Sequence, residues 1–200
     1  MERGKKIVLG LDIGGTKIRV VSGGKFWEFN TPQNKKEFIR ILKKFTGADK
    51  INVAVAGVIE GTKVKISPNI RYLKNFDFKK IFPRVRVDND ARAFLRKKLR
   101  KFGSRGVLAF TIGTGIGRAW AEKGRVKKIK KLEYPEKWER EYQKIRDKKD
   151  YEKLAKFLVK KLLVLIKKYE PEVVILGGGV LKKKGFYRKL KKELKIKTYE

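Results

Sequence analysis

The sequence predicts an α/β protein built as two lobes, each with a mixed sheet flanked by helices. Three observations lead there. Apolar runs of strand length recur along the chain, and several end in glycine-rich turns. Hairpin signals join consecutive strands, and segments with apolar residues at helical spacing lie between them.

Ile7–Ile13 is a nearly continuous apolar run ending in Gly14-Gly15, the pattern of a strand buried on both faces. Ile18–Ser22 and Lys25–Asn30 flank Gly23-Gly24, a pair suited to a tight hairpin turn. Asn34–Phe45 sets Phe38, Ile41, Leu42 and Phe45 on one helical stripe, with Gly47 as its C-terminal cap. Ile51–Ala56 reads as another buried strand and Val64–Ser67 as a short one before Pro68. Val85–Val87 opens the second half, and Asn89 or Asp90 caps a helix reaching Phe102. Val107–Ile112 and Arg118–Glu122 form a hairpin around Gly113-Thr114-Gly115-Ile116-Gly117. From Gly124 to Asp150 the chain is lysine-rich and weakly patterned, with no assignable element. Tyr151–Tyr169 is a long helix with Leu154, Leu158, Leu162, Leu165 and Tyr169 on one stripe. Pro171 separates it from the strand Val173–Leu176, which runs into Gly177-Gly178-Gly179. A basic helix over Lys182–Leu194 and an extended terminus close the chain. The lobes are expected at residues 1–84 and 85–200.

Composition narrows the chemistry. The 200 residues are 41% hydrophobic and 11% aromatic, enough for a sizeable core despite 38% charged residues. Cysteine and histidine are absent, which excludes disulfides, thiolate or imidazole zinc sites, Ser–His triads and cysteine nucleophiles. Acid–base work falls to carboxylates, lysine or tyrosine. Asp12 interrupts the apolar run Ile7–Leu11 too early for a secretory signal, and the longest apolar stretch is Leu162–Ile166. That is far short of the roughly 20 residues of a membrane span. The expectation is a cytoplasmic protein without a membrane partner.

Three glycine-rich turns each follow an apolar strand: Gly14-Gly15-Thr16-Lys17, Gly113-Thr114-Gly115 and Gly177-Gly178-Gly179. Such turns let backbone N–H groups approach an anion closely, and together they suit a nucleotide triphosphate. Asp12, at the end of its strand, is either a turn-stabilising carboxylate or a magnesium ligand beside phosphates. Asp90, in Val87-Asp88-Asn89-Asp90-Ala91, is either a helix cap or a general base.

These motifs resemble those of the ROK family of sugar kinases, within the sugar-kinase/Hsp70/actin superfamily. Leu9–Lys17 is similar to that family's first phosphate motif, and Ala56-Gly57-Val58 with Gly61 and Ser67-Pro68-Asn69 to the segment leading into the sugar site. Val87–Ala91 resembles the catalytic Asn-Asp-Ala motif, Thr111–Gly117 the second phosphate motif, and Val173–Val180 the adenosine motif. The resemblance implies an actin-like ATPase fold of two ribonuclease-H-like lobes, ATP and magnesium as cofactors, and a sugar or sugar-like substrate. Asp12 would organise the metal. Gly14, Gly15, Thr16 and Lys17 would hold phosphates with Gly113, Thr114 and Gly115, while Gly177 and Gly178 would pass beside the α-phosphate and adenosine. Gly57, Asn69 and Asn89 would line the sugar pocket, and Asp90 would deprotonate the attacking hydroxyl. Family kinases carry a Glu-x-Gly-His element after the second phosphate motif, and many add a zinc site. This chain, shorter than a typical member, has neither histidine nor cysteine, so no zinc is expected. Glu133, in Lys131-Leu132-Glu133-Tyr134, stands nearest to the sugar-binding glutamate.

Fifty-five basic against 21 acidic residues leave a net charge of +34, which favours nucleic acid or another polyanion. Arg96–Lys101, Lys127–Lys131 and Lys182–Lys184 are candidate basic surfaces, while Phe26 and Trp27 suit either a core or a stacking platform. Two other readings stay open: a non-catalytic ATP-binding sensor or assembly module, and a basic nucleic-acid-binding protein on a ribonuclease-H-like fold. The nuclease form of the latter needs a metal cluster from Asp12, Asp88 and Asp90. Apolar surface left by missing segments favours a homodimer.

Overall fold

Strand β1 (Val8–Ile13) buries Leu9, Leu11 and Ile13 and leaves Val8 and Asp12 exposed, and this alternation sets the architecture around it. The computed structural model describes residues 6–183, 185–194 and 198–199. Its chain divides into two compact units between Asp90 and Ala91.

The first unit holds a five-stranded sheet in the order β3-β2-β1-β4-β8. Here β2 is Lys17–Ser22, β3 Lys25–Asn30, β4 Lys50–Val55 and β8 Val85–Asn89. The meander β1–β2–β3 is antiparallel, while β4 and β8 run parallel to β1. Helix α1 (Lys35–Lys43) covers one face with Phe38 and Leu42. The Asn34 side chain caps it by accepting the Glu37 N–H at 2.9 Å. Lys44, not Gly47, supplies the C-terminal cap, because the helix ends a turn earlier than its apolar stripe suggests. A small sheet of β5 (Val58–Glu60), β6 (Lys63–Ile66) and β7 (Phe76–Asp77) extends the same core, where Phe76 meets Phe38 edge-on at 5.5 Å.

Two expectations change here. Ile7–Ile13 and Ile51–Ala56 predict burial on both faces, yet the sheet buries one; Val8, Asp12, Arg19, Val21, Phe26 and Glu28 all lie exposed. Trp27 packs edge-on against Phe45 instead, so the two aromatics part company. The division of the chain also falls later than 84/85. Val85–Asn89 pairs along its whole length with β4 and so completes the first sheet.

The second unit repeats the layout, with a five-stranded sheet ordered β11-β10-β9-β12-β13. Its strands are β9 (Val107–Ile112), β10 (Ile116–Glu122), β11 (Arg125–Lys127), β12 (Val173–Gly177) and β13 (Thr198–Tyr199). Both faces are covered, which is why β9 and β12 read as continuous apolar runs. Helix α2 (Asp90–Leu99) packs Ala91, Leu95 and Leu99 against Val107, Ala109 and Ile175. On the other face α4 (Glu139–Asp147), α5 (Tyr151–Tyr169) and α6 (Phe186–Leu194) enclose Leu108, Phe110, Val174 and Leu176. The stretch from Gly124 to Asp150 thus contains β11, α3 (Lys130–Glu133) and α4. The last helix starts at Phe186, since Lys182 belongs to a 3-10 turn over Gly179–Lys182; Lys184 lies outside the described residues. Among the described residues no helix is long and apolar enough to cross a membrane.

Candidate active site

In the first unit the turn between β1 and β2 is closed by the Gly14 N–H donating to the Lys17 carbonyl at 2.9 Å. Thr31 braces it: its hydroxyl donates to the Gly14 carbonyl at 2.7 Å and its N–H to the Thr16 carbonyl at 2.9 Å. Thr31 carries no motif, and only its place between a strand end and Pro32 hints at a turn-binding hydroxyl. On the other side of this turn Thr16 is exposed and Gly15 half-buried. Asp12 stands just before it, cross-strand from Arg19. The Asp12 side chain is 55% exposed, yet desolvation at its carboxyl raises it from the ordinary value, and the Arg19 guanidinium, 3.6 Å away, draws it back. A carboxylate held in that balance gains from a further cation beside it. The Lys17 side chain leans away from the turn it closes with its carbonyl. Its ammonium pairs with Glu28 on β3, as does Arg19 at 2.9 Å.

Gly57 adopts φ 139°, and a Cβ there would lie 2.0 Å from the Ile66 carbonyl oxygen. Only glycine lets the β4–β5 turn press onto β6 in this way. The Gly57 carbonyl accepts the buried Asn89 side-chain amide at 2.8 Å, so these two expected sugar-site residues are joined directly. The Asp88 carboxylate accepts the Asn89 N–H at 2.9 Å. Asp90 follows, half-buried, as the first residue of α2. It lies in the first turn of the helix. Ser67 is 5% exposed, and its hydroxyl has no hydrogen-bond partner among the described residues. Asn69, half-buried, follows it after β6. Asp12, Asp88 and Asp90 do not assemble: no group of three or more acidic residues that could hold a metal ion exists among the described residues.

In the second unit the β9–β10 turn is closed by the Gly113 N–H donating to the Gly115 carbonyl at 3.0 Å. Helix α4 grips the same turn by its carbonyls. The Tyr142 hydroxyl donates to Gly113 at 2.6 Å, the Gln143 amide to Thr114 at 3.3 Å, and Arg146 to both. Burial pushes the Tyr142 phenol up to about 12, which keeps it a donor. A trans peptide sets its N–H opposite its C=O, so the N–H groups of Thr114 and Gly115 are directed away from α4. The turn after β12 lies against this one. Gly178 has φ 106°, and its Cβ would sit 2.4 Å from the Ile112 carbonyl oxygen, while a Cβ on Gly177 would strike the Phe94 ring at 2.4 Å. Two of the three glycine-rich turns therefore meet at the carboxyl ends of neighbouring strands, where Gly177 registers with Thr111. Such crevices are where open α/β sheets hold ligands.

Glu133, expected beside the sugar, is buried in an ion pair. Its carboxylate pairs with Arg92, the two side chains being 1% and 8% exposed. A second buried pair, Arg118–Glu139 at 2.7 Å, has Arg118 also donating to the carbonyls of Leu132 and Tyr134. These contacts fasten the lysine-rich segment to α2 and to the β9–β10 hairpin. Glu133→Gln is expected to lower unfolding free energy in urea by about 3–5 kcal/mol, because removing one partner strands a buried charge. Unchanged stability would return Glu133 to a substrate-binding role.

Solved structures give this arrangement a context. An inorganic polyphosphate/ATP-glucomannokinase from Arthrobacter sp. strain KM superposes with a TM-score of 0.78 at 20% identity, covering 98% of this chain and 92% of that one. A ROK family glucokinase from Streptomyces griseus, in complex with glucose and AMPPNP, gives 0.73 at 16% identity over 94% and 87%. The chain has the actin-like ATPase fold of the ROK kinases. A ROK family transcriptional regulator, a homolog of E. coli MLC, shares it with a TM-score of 0.67 at 13% identity over 94% and 69%. The ROK fold thus serves kinases and regulators alike, and the choice between them rests on the site. No protein-family model and no curated protein matches the sequence.

Proposed function

We propose that the protein is an ATP-dependent sugar kinase of the ROK type, transferring the γ-phosphoryl group of Mg-ATP to a hydroxyl of a sugar or sugar-like substrate. The observation that carries this reading is the meeting of the Gly113–Gly115 and Gly177–Gly178 turns, with the Thr114 and Gly115 N–H groups directed off α4. Backbone donors fixed in this way suit phosphate oxygens. The glucose and AMPPNP bound to the Streptomyces griseus neighbour add support. In a cell such an enzyme works in the cytoplasm.

Asp12 fits a magnesium ion that arrives with the nucleotide: a single carboxylate, with phosphates and water completing the oxygen shell. Magnesium, when bound, offsets charge on the transferred group. The chain's own residues do the rest. Gly57 holds Asn89, and Asn89 sets the register of Asp90 at the start of α2. Asp90 accepts the proton of the acceptor hydroxyl as its oxygen bonds to the γ-phosphorus and the bond to ADP breaks. Gly57 and Asn69 line the sugar side, and the Gly14–Thr16 turn offers further phosphate donors.

A panel of hexoses and N-acetylhexosamines, read by ADP formation, tests the proposal. At least one sugar is expected to raise ATP consumption above the rate in its absence. ATP binding in calorimetry without stimulation by any sugar would instead establish the sensor reading, which the Arg92–Glu133 pair favours because it withdraws the expected sugar-binding glutamate.

A further inference from the structure

The carboxyl ends of β9 and β12 carry the glycine turns; the opposite end of that sheet carries charge. Residues 96–105, leading out of α2 toward β9, hold six basic side chains and no acidic one. The β10–β11 turn docks onto them, with the Lys123 N–H donating to the Ser104 carbonyl at 3.0 Å. Gly103, Lys123 and Gly124 all have positive φ (59°, 50° and 70°), so both turns are tight and project their neighbours outward. Arg100, Lys101, Arg105, Lys123 and Arg125 are exposed, and none forms an ion pair among the described residues. Of the carboxylates close by, Glu122, cross-strand from Arg125 and within the field of Lys123, pairs with Lys127 at 3.1 Å, and Glu172 accepts the Gly106 N–H at 2.8 Å.

The two adjoining turns bring exposed cations of both segments together. A row of cations on such a ridge is neutralised best by an extended polyanion, and duplex nucleic acid offers one charge per roughly 1.7 Å of axis. Trp120, half-buried beside Gly106, is engaged with the Tyr169 ring at 5.5 Å. Phe102 is buried and packs edge-on against Tyr199 at 5.1 Å, which disfavours single strands. The net charge of +34 strengthens long-range attraction. We propose that the ridge formed by Arg100, Lys101, Arg105, Lys123 and Arg125 binds the phosphodiester backbone of double-stranded nucleic acid, without reading bases. This site is independent of the proposed kinase chemistry, and its failure would leave that chemistry untouched.

The test is fluorescence anisotropy of the full chain with labelled DNA duplexes of about 20 base pairs, in two unrelated sequences, across a salt series. Both duplexes should bind alike and more tightly than either single strand. The logarithm of affinity should fall against log salt with a slope of about −4 to −5, as five phosphate contacts require. Reversing charge at Arg105→Glu, Lys123→Glu and Arg125→Glu should flatten that slope by about 3. A control reversal on the exposed side of α5 (Lys153→Glu, Lys160→Glu, Lys167→Glu) should flatten it by less than about 1. The milder set Arg105→Gln, Lys123→Asn and Arg125→Gln, checked by circular dichroism, answers for folding. Equal flattening by ridge and control variants overturns the proposal, since net charge alone then binds. Displacement of duplex by inorganic polyphosphate at lower phosphate concentration also overturns it, in favour of a different polyanion.

Discussion

Asp90→Asn is expected to lower sugar-dependent turnover by about 10²–10⁴-fold, the range a positioned general base contributes. Asparagine keeps the size and place of the side chain at the start of α2 but cannot accept the proton of the acceptor hydroxyl. Nucleotide is proposed to be held mainly by the Gly113–Gly115 and Gly177–Gly178 turns, so its affinity should stay within about twofold of wild type, the split that marks a group acting only in the transition state. Stopped assays for sugar phosphate and calorimetry with an ATP analogue read the two quantities separately. Wild-type turnover in this variant would leave Asp90 with a structural role and the mechanism without its base.

Gly178→Ala is expected to have the largest effect on the nucleotide side. At φ 106° a side chain is strained, and the added methyl would also sit 2.4 to 2.7 Å from three backbone atoms of Ile112. Backbone cannot yield as a side-chain tip does, so the turn after β12 must lift off β9 or the strand must shift. The cost should reach about 3 kcal/mol, which for a chain of this size lowers Tm by roughly 6–12 °C. Loss of ATP affinity should accompany it. Gly179→Ala makes the contrast, because nothing lies within 4 Å of its added Cβ. Equal tolerance at both positions would mean that the two glycine turns do not depend on each other.

What could be read from residues alone follows from where physical necessity concentrates. The turns at Gly57 and Gly178 were legible because a single residue type bears the whole constraint. The bounds of β3, β9 and α5 agree with their apolar patterns because each is long or continuous enough to dominate its window. Helix α4 was not legible, for the opposite reason. Its grip on Gly113 and Thr114 runs through Tyr142, Gln143 and Arg146, polar donors that leave no periodic trace among the lysines. Lys17 and Glu133 fit a phosphate or sugar role by position, but cross-strand Glu28 and buried Arg92 claim them. The shared strand order of the two sheets is likewise invisible in the residues, because backbone pairing rather than residue identity defines it.

That each sheet is assembled from its own continuous stretch bears on how the protein is made. Once Asn89 has left the ribosome, all five strands of the first sheet are available to pair, together with the helix that covers it. The second must wait for β12, which starts only at Val173. During synthesis the first half can therefore reach its native form while the second is still a growing chain, its strongly apolar β9 exposed until its partner emerges.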